Sequence, residues 1–196
     1  MQGKDISSQY KESQLTSDFN LAKNIIEKQG FDGKPTVMSK EELTKYIQEN
    51  GTMELFRGYG SDDSGTLSSY SDGFKTGDMY ISGDKDSLYG AGIYTTNTKR
   101  TANNYASGMD GKSFNHSRID RMTLRKDAKI LSVNAFGGEP AEVDGYDHGF
   151  SPSSSLGNYA AAKGYDAIQV ERGPEKYLVI VNRTAVITDG DNHYEG

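Results

Sequence analysis

Between Met53 and Thr184 the chain is a succession of short β-forming runs: "MELFR", "DMYIS", "AGIYT", "RMTLR", "KILSV", "DAIQV" and "YLVIVNR". Clusters of Gly, Asp and Ser part them, and such breaks turn a chain back on itself. The runs follow no fixed period, which excludes a repeat array. They do not alternate regularly with helices either, which excludes a doubly wound parallel sheet. The expected class is α+β, with two small, mostly antiparallel sheets and a helical N-terminal side.

The helices are marked by periodicity and by caps. In "SDFNLAKNIIEKQGFDG", Leu21, Ile25 and Ile26 fall on one helical face, and Gly30 and Gly33 mark its exit. "SKEELTKYIQENG" carries a capping box, in which Ser39 accepts from the N3 amide while Glu42 reaches back. Asn50-Gly51 closes that helix, and Pro35 before it favours a turn. A third helix is expected from Thr98 to Ser107, stopped by Gly108. A fourth, "SSSLGNYAAAKG", is capped by serines and ended by Gly164. "GYGSDDSG" and the "SGTLSSYSDG" that overlaps it, with Tyr70, are read as a mobile loop. "GPEKYLVIVNRTAVI" reads as one near-continuous apolar strand, hence central and buried. The domain is expected over residues 31–190, with a helical extension at 1–30 and a polar tail at 191–196.

At 196 residues the chain is long enough for a real core. The net charge of −6 disfavours broad binding to a phosphate backbone and leaves open a local basic groove. The lack of cysteine removes disulfides, thiolate nucleophiles and Cys-ligated zinc. His116, His148 and His193 have no metal-ligand spacing, and no metal is expected. No apolar run approaches membrane-spanning length, and the opening "MQGKDISSQYK" lacks a signal peptide's apolar core, so a soluble chain without membrane partners is expected. The 13 tyrosines against 7 phenylalanines and no tryptophan give rings with a polar tip, suited to wet binding surfaces as well as to strands.

Three segments carry chemistry. Arg57 ends a β-run and is followed at once by Gly58, so its fork of donors can hold a phosphate or ribose, or form an edge-strand ion pair. Tyr94 follows closely spaced glycines and precedes a polar helix start, so it packs a core or faces a ligand. Glu175 stands at the mouth of the apolar strand, either aimed into a cleft or solvated, and Glu171 lies four residues earlier.

In this order the segments resemble the ADP-ribosyltransferase superfamily. "GAGIY" is similar to the Gly-x-Gly-Ile-Tyr element of the branch typified by poly(ADP-ribose) polymerases and diphtheria toxin. A closer likeness is to the ADP-ribosyltransferase domains of phage head-morphogenesis (minor capsid) proteins and related bacterial toxins. It rests on "LFRG", "YGAGIY", "LRKDAKIL", "GYDAI" and "VNRT", in that order, and covers roughly residues 31–188. Where the polymerase-like branch has His, this chain has Arg57, and where the arginine-first toxins have Ser-Thr-Ser, it has Gly-Ile-Tyr. The paired Glu-x-Glu of arginine-modifying toxins is missing.

The resemblance implies a split β-sandwich and a mono-ADP-ribosyltransferase that cleaves NAD at the nicotinamide–ribose bond. Tyr94 would lie along the nicotinamide, with Tyr105 stacking from the other side. Arg57 would fix the adenosine-side ribose or the pyrophosphate, with Gly58 leaving room, and backbone groups next to Arg57 or Gly58 would read the amide. Glu175 would stabilise the oxocarbenium-like transition state, with Glu171 as the alternative carboxylate and the Gly-Pro turn letting both approach one cleft. The implied partners are NAD and a macromolecular acceptor, a host or rival-cell protein, besides a phage head protein or an immunity protein. The implied location is the virion or host cytoplasm for a phage protein, and the target cell's cytoplasm for a toxin. An NAD glycohydrolase with water as acceptor, or an inactive phage structural module, are the other readings.

Overall fold

The computed structural model describes residues 33–76, 92–108, 113–134, 160 and 164–190. The helix expected at 17–33 lies outside them but for Gly33, as does that at 153–164 but for Ala160 and Gly164. "DMYIS", Gly90, His148, His193, the 1–30 extension and the 191–196 tail also lie outside. The described elements are β1 (Thr36–Met38), α1 (Lys40–Asn50), β2 (Leu55–Ser61), α2 (Ser64–Thr76), β3 (Ile93–Thr96) and α3 (Lys99–Ser107). They continue with β4 (His116–Leu124), β5 (Ile130–Asn134), β6 (Ala167–Arg172), β7 (Glu175–Ile180), a 3-10 turn (Arg183–Ala185) and β8 (Val186–Asp189). The fold is mixed α/β, and among the described residues no helix is long and apolar enough to cross a membrane.

These residues form two compact units. One contains 34–76, 95–108, 113–127 and 184–190; the other contains 33, 92–94, 128–134, 160 and 164–183. The chain changes unit four times between described neighbours, at 33/34, 94/95, 127/128 and 183/184. In place of two separate sheets, the two strand sets have β3 in common, its first half in one unit and its second half in the other.

In the first unit the strand order is β1–β8–β4–β2, with β3 beside β2 at Phe56 and Thr96. Only β1 and β8 run parallel; β2–β4 and β4–β8 are antiparallel. Strand alternation gives β2 and β4 two distinct faces. Phe56, Gly58 and Ile119 share the face that takes α3, whose buried Ala102 and Ala106 stand one turn apart. Small residues meet small residues there, so helix and strand backbones come close. A Cβ on Gly58 would run into the Ala102 carbonyl, and one on Gly60 into the Phe114 ring and the Ala106 carbonyl. The room left by Gly58, expected for a ligand, is taken by the helix.

The capping box of α1 forms as its sequence dictates: Glu42 N donates to Ser39 Oγ at 3.2 Å, and Ser39 N donates to Glu42 Oε2 at 2.9 Å. Gly51 ends the helix at φ 62°. Of residues 58–73, expected as loop, 58–61 extend β2 and 64–73 lie in the helix Ser64–Thr76. The Asp63 carboxylate accepts from the amides of Gly65 and Thr66 and from the Thr66 hydroxyl. Those bonds start the helix, and buried Ser71 and Phe74 hold it against the unit. Tyr70 therefore stands within a helix.

In the second unit β7 pairs antiparallel with β6, and β6 parallel with β5. Gly173 and Pro174 form the two-residue loop between Arg172 and Glu175, the turn expected there, with Gly173 at φ 64°. Leu131, Val133, Ala160, Ile168, Val170 and Val179 make the buried cluster, with Tyr94, Tyr165 and Tyr177 packed against it. The expected continuous apolar strand is broken after Ile180. The amides of Val181 and Asn182 both donate to the Asp166 carbonyl, and the fully buried Arg183 turns its Nε to the Gly33 carbonyl at 2.8 Å. The Val181 bond is the last rung in ladder register, and the Asn182 and Arg183 bonds leave it, so β8 starts anew in the other unit.

Candidate functional site

Glu175 is the first residue of β7, half-buried, and its place on the ribbon follows from register. Arg172 faces Glu175, Glu171 faces Lys176, and Val170 faces Tyr177. Successive strand residues point to opposite faces, so Glu175, Tyr177, Val179, Val170 and Ile168 share one face. Glu171, Lys176, Gln169 and Leu178 share the other. The Tyr177 hydroxyl donates to Glu175 Oε2 at 2.8 Å. Glu171 is exposed, takes a hydrogen bond from Gln169 at 3.1 Å and pairs with Lys176 at 3.8 Å. The expectation that both carboxylates approach one cleft is therefore corrected by the register.

Tyr94 is half-buried and packs against the cluster formed on the Glu175 face. Gly92, just before it, has its missing side chain toward β7. A Cβ there would meet Val179 Cγ1 at 2.5 Å and the Ile180 carbonyl at 3.1 Å. This glycine lets β3 and β7 approach one another, where the sequence suggested approach to a ligand.

Arg57, Gly58 and Tyr105 belong to the other unit. Arg57 is only 8% exposed, and its guanidinium lies 4.6 Å from the centroid of the Tyr59 ring. It stands on the β2 face opposite Gly58, in register with Asp120. Asp120 is buried, accepts from the Ser71 hydroxyl at 3.0 Å, and has Arg118 Nε at 3.7 Å. The Tyr59 hydroxyl lies near enough to Asp120 to feel its charge, but in no geometry that makes a hydrogen bond. Burial keeps that phenol protonated, shifting its pKa upward far beyond the usual range. Lys75, which donates to the Gly190 carbonyl at 3.2 Å, is shifted the other way, first by burial. Tyr105 is half exposed on α3.

The structure thus brings Tyr94 and Glu175 into one unit and onto one face, with Tyr177 beside the carboxylate. It sets Arg57 by the Tyr59 ring and opposite Asp120, which takes Ser71 and Arg118, and the sequence had singled out none of these four. The i, i+2 spacing of Glu175 and Tyr177 on a strand was a usable signal. Ser71 and Asp120, 49 positions apart, left none. His116 is exposed, and among the described residues no group of three or more His, Asp or Glu side chains is placed to hold a metal ion. A scan against protein-family models finds no match for the chain, and no curated protein is similar to it at a significant level.

Proposed function

We propose that the chain is a mono-ADP-ribosyltransferase that takes NAD as substrate and a macromolecule, a host or rival-cell protein, as acceptor. The observation that carries this reading is that Glu175, by the hairpin register, and Tyr94, by its packing against the cluster, share one face of one unit. A carboxylate and an aromatic ring on one face suit a substrate whose ribose develops positive charge while a flat heteroaromatic group departs. The ordered likeness of the Arg57, Tyr94 and Glu175 segments to the ADP-ribosyltransferase superfamily supports the same reading.

In the proposed reaction the bond between C1′ of the ribose and N1 of the nicotinamide breaks. The bonding pair leaves with nicotinamide, which departs neutral, and positive charge spreads over C1′ and the ring oxygen. The acceptor's nucleophilic atom then bonds C1′ and gives its proton to solvent. Glu175, ionised, binds a ribose hydroxyl and faces the oxocarbenium charge, so it stabilises the transition state more than the ground state. Tyr94 lies against the nicotinamide. Incubating a cell lysate with NAD and the protein tests this by mass spectrometry. ADP-ribose added to lysate proteins is the expected result, and unchanged NAD would overturn it. Free ADP-ribose without modified protein would make water the acceptor.

A further inference from the structure

We infer that Tyr177 is a positioning residue that holds the Glu175 carboxylate in place, an inference that rests on Glu175 being the carboxylate that faces the ribose. Glu175 begins β7 directly after a two-residue loop, and a glutamate there has three side-chain torsions to fix. Tyr177 has the means to fix them. It stands two residues on, on the same face, and its hydroxyl reaches Glu175 Oε2 at 2.8 Å. Its ring packs against the cluster containing Ile168, Val170 and Val179, so the donor is held by buried neighbours. A phenol donating to a carboxylate favours the ionised form and fixes the direction of its oxygens. The adjacent cation in sequence, the Lys176 ammonium, is turned to the other face by strand alternation and pairs with Glu171 at 3.8 Å.

Tyr177→Phe keeps the ring and removes only the donor, so the test compares Tyr177→Phe, Glu175→Gln, the double variant and Tyr165→Phe. Tyr165 packs against the same cluster. Nicotinamide release from NAD gives kcat and KM, and thermal melts give the folded fraction. The expected result for Tyr177→Phe is a kcat lower by about tenfold with KM for NAD and Tm retained. In the Glu175→Gln background the same change has no further effect, and Tyr165→Phe keeps the wild-type kcat. Wild-type kcat in Tyr177→Phe beside a large loss in Glu175→Gln overturns the inference and leaves Glu175 in its role. A loss matched by Tyr165→Phe, or one that follows a fall in Tm, also overturns it, because the ring cluster and not the hydroxyl would then be responsible. Wild-type turnover in Glu175→Gln, or no turnover by the wild type, removes the reading of Glu175 and the inference with it.

Discussion

Glu171 and Glu175 are near in sequence, and a two-residue loop puts them back to back. Glu175→Gln keeps shape and removes charge, so it is expected to lower nicotinamide release by roughly two to three orders of magnitude with NAD affinity little changed. Glu171→Gln is expected to stay close to wild type, since its carboxylate belongs to the Lys176 side of the ribbon. Equal losses in the two would show that the face assignment does not govern the chemistry. Tyr59 offers a separate check on the Arg57 surroundings. Its hydroxyl is buried with no hydrogen-bond partner, so Tyr59→Phe is expected to leave stability unchanged or raise it by up to about 1 kcal/mol in urea unfolding. A loss larger than that would mean the hydroxyl does form a bond. Arg57, Tyr94 and Glu175 could be singled out as candidates because each sits in a short run with a recognisable neighbour. The Arg118–Asp120–Ser71 group was not, because it exists only once β2 and β4 pair and α2 folds over them.

At the scale of elements, caps were readable wherever their chemistry was local. The box at Ser39 and Glu42 joins positions three apart and formed as expected. The start of α2 is equally local, yet its run of Ser and Gly reads as a loop until Ser71 and Phe74 are seen to be buried. Hydrogen bonds from the Thr66 hydroxyl, the Thr66 amide and the Gly65 amide hold the Asp63 carboxyl below its usual pKa. The folded state therefore binds this proton more weakly than the unfolded one. The stabilisation is present above the ordinary aspartate range and is lost as pH falls through the lowered value. Asp63→Asn should flatten the acid side of the stability curve below about pH 4, measured by circular-dichroism melts. An unchanged acid limb would exclude Asp63 as a contributor. Gly58→Ala is the complementary test of packing, since its Cβ meets backbone that cannot rotate away. It should cost about 1–3 kcal/mol, read from denaturant unfolding, and a neutral result would show that α3 can move off β2.

For the whole molecule, the class was legible and the partition was not. Short runs and irregular breaks were enough to exclude repeats and doubly wound sheets. Nothing in them indicated that β8 would separate β1 from β4 in the strand order, or that β3 would serve two strand sets. Those pairings depend on contacts between distant segments. A chain ending at residue 185 lacks β8 and leaves both β1 and β4 without the strand between them. It is expected to show no cooperative thermal transition, and a sharp melt like that of the full chain would overturn the strand order.

The four changes of unit between described neighbours also bear on heredity. Modules that occupy one stretch of a gene can be duplicated, lost or exchanged by a single crossover. Here a single crossover anywhere inside residues 34–183 divides both units at once and delivers neither intact to the recombinant. Across that span the two units are therefore inherited together, and mutations that suit one to a new ligand stay linked to the other.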